Sequence, residues 1–172
     1  MDLHDFSWVH IEGRNKLNVQ KILSYLNQKK TVKFSVEIEK VNRGFEEFIP
    51  FGDVVFISKV CIAVIPYDMK YKTPMIFPQD VAQHHGYSTM EEAVGHFQPL
   101  LKTGGCLVIA WGEAGACGWE AGEGFFKCPA FSPAGGVVDT LGAGDTFNGA
   151  VIGCLASGLG LRRSVHIGCQ VS

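Results

Sequence analysis

The sequence has almost no excess of charge: 15 Lys and Arg against 17 Asp and Glu leave a formal net charge of −2 at pH 7. No cluster of basic residues stands out along the chain, so the electrostatic footprint of a nucleic-acid or anionic-membrane binder is missing. No apolar stretch reaches the roughly 18 residues that a membrane-spanning helix needs. The six cysteines, at 61, 106, 117, 128, 154 and 169, form neither a C-x-x-C pair nor a Cys/His metal spacing. Most lie in apolar runs, and Met1-Asp2-Leu3-His4-Asp5 does not read as a targeting segment. They are therefore expected to be reduced, mostly buried thiols of a cytoplasmic protein. No G-x-G-x-x-G opens a first βα unit, which argues against a nicotinamide-binding protein. With 172 residues, 47% hydrophobic and 19% charged, the expectation is one core and a small-molecule site.

Glycine, by contrast, is plentiful, with 21 residues. Its most informative cluster is in Val137-Val138-Asp139-Thr140-Leu141-Gly142-Ala143-Gly144-Asp145-Thr146-Phe147. A short apolar run ends in Asp-Thr, three small residues follow, and Phe147, Val151, Ile152 and Leu155 then fall at helical spacing. Gly142 and Gly144 permit backbone angles closed to other residues, and amides at a helix start favour an anion. Asp145 is not there to hold that anion. It is either a first-turn carboxylate that stabilises the helix, or a base that takes a proton from a hydroxyl attacking a phosphoryl group.

Elsewhere, apolar strands alternate with amphipathic helices. Phe6–Ile11, Val32–Glu39, Val54–Ser58 and Cys106–Ala110 read as strands. Asn15 caps a helix that carries Val19, Ile22, Leu23 and Leu26 on one face. A short helix ends near Phe48-Ile49-Pro50. Ser88-Thr89-Met90-Glu91 has a capping-box pattern and opens a helix running to Leu101, weakened by Gly95 and Pro99. Phe125–Phe131 reads as the returning strand of a hairpin, Asp145–Ala156 as one helix, and Leu161–Val171 as the start of another. This order implies a mainly parallel sheet covered on both faces.

Ligands of such sheets bind beyond the carboxyl ends of the strands. Glu12, Arg14, Glu37, Glu39 and Lys59 are at that edge, although Glu12 and Arg14 could equally be a loop ion pair. Gly112-Glu113-Ala114-Gly115 follows a strand and, taken alone, is a turn. His84 and His85 are adjacent and lack the i, i+4 spacing of a metal pair, so they read as surface residues.

The run Asp139 to Phe147 resembles the C-terminal signature of the PfkB/ribokinase family of carbohydrate kinases. Trp8-Val9-His10-Ile11-Glu12-Gly13-Arg14-Asn15, Ser35-Val36-Glu37-Ile38-Glu39-Lys40, Gly52–Lys59 and Gly168-Cys169-Gln170-Val171 extend the likeness toward the branch that phosphorylates ketohexoses. The resemblance implies an α/β fold, ribokinase-like and three-layered (α/β/α). It implies ATP-dependent phosphorylation of D-fructose to fructose 1-phosphate. Asp145 would be the catalytic base at the sugar hydroxyl, with Gly142, Ala143 and Gly144 as an anion hole. Gly112, Glu113, Ala114 and Gly115 would contact the nucleotide, although Gly112 and Ala114 differ from the residues common in that branch. Cys169 matches the adenine-side wall, with a packed core thiol the first alternative. Mg²⁺ would travel with ATP, and K⁺ is common in the family. Another sugar or a nucleoside as substrate, or a non-catalytic nucleotide-binding remnant, are the competing readings.

Two departures accompany the likeness. Family members are nearly twice this length, so residues 1–172 are expected to be the C-terminal part of the kinase domain. The Gly-Gly-Asn sugar motif and the β-clasp lid, which makes the homodimer, would lie outside them. Residues 60–79 have three prolines and no fitting period, while Lys59 joined to Asp80 would restore the family pattern. They read as an atypical insertion, a translated intron whose Val60-Cys61 and Phe77-Pro78-Gln79 could encode splice borders. A genuine surface loop is the alternative, although loops this long and structureless are uncommon in compact domains.

Overall fold

The computed structural model describes residues 3–38, 46–58, 87–132, 135–136 and 139–172, the side chain of His4 excepted. Glu39, Lys59, His84, His85, Val137, Val138 and the passage 60–79 lie outside the described residues. Six strands form one sheet in the order of the sequence: β1 (Trp8–Glu12), β2 (Lys33–Ile38), β3 (Val54–Ser58), β4 (Cys106–Ala110), β5 (Ala116–Glu120) and β6 (Gly124–Cys128). The first four are parallel, and β5 and β6 are antiparallel to their predecessors. Among the described residues four helices accompany them: α1 (Lys16–Lys29), α2 (Met90–Phe97), α3 (Ala143–Ala156) and α4 (Leu161–Val171).

The sequential strand order determines where the helices go. Each parallel step moves the same way across the sheet, and crossovers of constant hand then place their helices on one face. Val19, Leu23 and Leu26 of α1 and Ala93, Val94 and Phe97 of α2 accordingly share a core with Val36, Val55, Ile57, Leu107 and Ile109. Alternate strand residues point the other way. Val54, Phe56, Val108, Ala116, Phe126 and Cys128 join Phe147, Val151, Leu161, Val165 and Cys169 in a second core beneath α3 and α4. These are the three layers of an α/β/α domain.

Local signals explain most element limits. Asn15 accepts from Asn18 N–H at 3.1 Å as the cap of α1. Of the face proposed for that helix, Val19, Leu23 and Leu26 are buried, but Ile22 is 45% exposed. The capping box forms one residue later than the pattern at Ser88 places it: Thr89 caps α2 and Glu92 reaches back to the Thr89 N–H. Pro99 sits in a 3₁₀ turn, Gln98–Leu100, which ends the segment before Leu101. β2 does not alternate, because Phe34, Ser35 and Val36 are all buried between neighbouring strands. The segment before Ile49 is a single 3₁₀ turn, Glu46–Phe48. α3 begins at Ala143, two residues before Asp145.

The two terminal helices pack on each other through a missing side chain. A Cβ at Gly168 would lie 2.7 Å from Val151 Cγ2 and 2.9 Å from the Phe147 ring, whereas one at Gly153 would meet nothing within 4 Å. Gly168→Ala is therefore expected to lower stability by about 1–3 kcal/mol through overpacking. Gly153→Ala, inside the exposed side of α3, should raise it by about 0.5–1 kcal/mol. Urea midpoints of the two variants check both signs.

Candidate active site

α3 opens on Gly142, whose φ of 76° is a left-handed conformation that favours glycine. Just before it, Asp139 Oδ1 accepts from the Leu141 N–H at 2.9 Å, a short Asx turn that folds the chain back. The Ala143 N–H then donates to Thr140 O at 3.1 Å, and Thr146 N–H to Gly142 O at 2.9 Å. The Gly142, Gly144 and Asp145 amides make no hydrogen bond among the described residues. Three unbonded N–H groups thus gather at the positive end of a 14-residue helix. Ala143, expected in the anion hole, has its amide committed to the turn instead. Asp145 is the third helical residue and its side chain is exposed, while Phe147 and Asn148 just beyond are buried. The carboxylate is therefore open to solvent while its helix is anchored.

The second glycine-rich loop is at the same end of the sheet. Gly112–Ala114 forms a 3₁₀ turn directly after β4, all three residues exposed. Gly115 is buried and has a different part. Its N–H donates to Gly112 O at 2.8 Å, its carbonyl accepts from Trp111 at 2.7 Å, and a Cβ there would run into the Cys128 carbonyl and the Pro129–Ala130 backbone. It fastens the loop to the end of β6. Cys169, near the end of α4, is buried beside the backbone of Ala116, the first residue after the loop. Burial pushes its thiol up to about 11, so it stays protonated at neutral pH. Because α3 and α4 run antiparallel in contact, the start of α3 and the end of α4 meet the carboxyl ends of β4 and β6.

Glu12 and Arg14 leave β1 at the same edge. They form a partly exposed ion pair at 2.7 Å, with the Gly13 N–H donating to Glu37 O at 3.3 Å. A feature invisible in the sequence lies beside them. Trp8 Nε1 donates to Ser35 Oγ at 3.0 Å, His10 Nδ1 lies 2.8 Å from the same oxygen, and His10 Nε2 lies 3.4 Å from Glu37 Oε2. With Ser35 O–H donating to Nδ1 and Nε2–H facing the carboxylate, the whole chain of groups is satisfied, and it holds Glu37 at the carboxyl edge. Only the parallel register Trp8↔Lys33 through Glu12↔Glu37 joins these groups.

No group of three His, Cys, Asp or Glu among the described residues could hold a metal ion by itself. No helix among them is long and apolar enough to cross a membrane.

Comparison with known proteins agrees with this architecture. Residues 79–172 match the family model described as pfkB family carbohydrate kinase. The chain is 36% identical over 179 residues to the ketohexokinase of Mus musculus, covering 100% of this chain and 53% of that one. It thus spans about half the length of that relative. Among solved structures, Arabidopsis thaliana ribokinase complexed with ribose and ATP superposes with a TM-score of 0.68 at 16% identity, over 97% of this chain and 48% of that one. Ribokinase from Cryptococcus neoformans in complex with ADP gives a TM-score of 0.69 at 14% identity, over 98% and 53% respectively. Fold, family model and 36% identity along the whole of this chain converge: the chain belongs to the pfkB family of carbohydrate kinases.

Proposed function

We propose that this chain supplies the ATP side and the general base of a kinase that phosphorylates a ketohexose, D-fructose to fructose 1-phosphate. The observation that carries the reading is the exposed Asp145 carboxylate on the turn that also presents the Gly142, Gly144 and Asp145 amides, which are unbonded among the described residues. Phosphoryl transfer needs charge stabilisation and positioning more than covalent chemistry, and this turn offers both. In the reaction, Asp145 takes the proton from the attacking sugar hydroxyl. The amides accept the charge on the transferring group, at an end where the helix dipole favours it. The exposed Gly112–Ala114 turn lets a nucleotide approach the backbone, and Cys169 packs behind that turn as a neutral wall. The 36% identity to a ketohexokinase favours a ketohexose over ribose or a nucleoside.

Mg²⁺ would enter this site with the nucleotide phosphates, beside the exposed Asp145 carboxylate. When bound it supplies charge neutralisation on those phosphates. A monovalent cation such as K⁺ rests on the resemblance alone. A cytoplasmic setting suits the neutral thiols of half-buried Cys106 and buried Cys117 and Cys169, which desolvation pushes up to about 11, 12 and 11.

A second reading is a nucleotide-binding chain that does not complete transfer. Without an oriented sugar, the base loses a proximity term of roughly 7–11 kcal/mol of barrier. Incubation with ATP, Mg²⁺ and D-fructose separates the two. The kinase reading expects fructose 1-phosphate, falling about 10²–10⁴-fold in Asp145→Asn while ATP binding is retained. ATP binding with no sugar phosphate would establish the second reading, and undiminished activity in Asp145→Asn would remove the base assignment.

The passage 60–79 is proposed to be translated intron. In support, the family match begins at residue 79, where that passage ends. Transcripts sequenced across Lys59 and Asp80 should include a form lacking it; genomic sequence without GT and AG borders there would make it a genuine loop.

A further inference from the structure

At the amino end of the strands, about 17 Å of β-strand away from the glycine loops, lies a cavity of about 440 Å³. It is lined by the end of α1, the start of β2 and the loops before β3 and β4, and its charged residues are Lys30, Lys33, Lys102 and Asp53. Asp53 is fully engaged: one carboxylate oxygen accepts from the Phe34 N–H at 2.8 Å, and the other pairs with Lys102 Nζ at 2.7 Å. Lys102 also lies 5.1 Å from the centre of the Phe34 ring. Lys30 and Lys33 have no acidic partner among the described residues. Among the described residues the cavity therefore carries two uncompensated positive charges, on a chain whose net charge is −2.

The backbone around it is set. Lys30 adopts a left-handed φ of 51° and donates its N–H to Leu26 O at 3.0 Å, which turns the chain sharply from α1 into β2. Interaction with the helix carbonyl end accounts for a lysine at position 29 or 30. It does not account for Lys33, which begins β2. Asn27, Thr31 and Thr103 also line the cavity, and their side chains make no hydrogen bond among the described residues. Two solvent-exposed lysines, three solvent-exposed neutral hydrogen-bonding side chains and an apolar wall of Leu26, Val32 and Phe34 define a ligand chemistry. The volume falls in the range of small-molecule sites.

We infer that this cavity is a second binding site, for a small phosphorylated metabolite, distinct from the candidate active site. A phosphate monoester carries about −1.5 to −2 at neutral pH, matching the two unpaired lysines, while its polar body meets Asn27, Thr31 and Thr103. The site stands on its own geometry and does not depend on which sugar the chain serves.

The probe is inorganic phosphate, titrated into the isotope-labelled full chain at constant ionic strength and followed by amide NMR, beside Lys30→Glu/Lys33→Glu. The expected result is saturable movement of the Thr31, Lys33 and Thr103 amides. The double variant should bind about tenfold or more weakly, with the rest of its spectrum unchanged. Movement confined to Gly142–Asp145, drift that never saturates, or equal binding by the double variant would overturn the proposal. Should the double variant misfold, Lys33→Gln must weaken the saturable response on its own, and the inference fails if it does not.

Discussion

The contact on which the rest depends is between α3 and α4 at Gly168. Because no side chain stands there, α4 closes on Phe147 and Val151, and Phe147 comes two residues after the exposed acid. The apolar side of α3 is thereby pinned while its first turn stays open. A helix start that presents three free amides is costly unless something fixes it, since unbonded N–H groups need water or an anion. Here packing fixes the helix, and the N-terminus is left for a ligand.

The same topology creates an asymmetry between the faces of the sheet. Sequential parallel strands send their crossover helices α1 and α2 to one side, while α3 and α4 reach the other side from the β5–β6 end. Over β1 and β2 that second side has Trp8, His10, Ser35 and Glu37 in mutual hydrogen bonds instead of an apolar layer. Ser35 is buried there without loss because both neighbours engage its hydroxyl. Polar satisfaction, not hydrophobic burial, thus shapes the edge from which Glu12, Arg14 and Glu37 emerge.

Much of this was legible in the sequence because the signals are local. Asn15, the Thr89/Glu92 box, the glycine turns and the wholly apolar strands each act over a few residues, and all appear within a residue or two of where they were expected. What escaped is long-range. Ile22 has helical spacing yet is half exposed, since nothing among the described residues covers that part of α1. Gly115 reads like its loop neighbours but is buried, because only the return of β6 shows what lies against it. Ala143 reads as an anion donor, and the Thr140 carbonyl takes its amide. The Trp8–Ser35–His10–Glu37 chain depends on strand register, which no single strand reveals.

The central claim is that the turn before α3 grips phosphate through specific amides. Amide NMR of the labelled chain titrated with ATP and Mg²⁺ tests it most directly. The account predicts saturable shifts at Gly142, Gly144 and Asp145 together with Gly112–Ala114. Saturable ATP binding that leaves those three amides unmoved would contradict it.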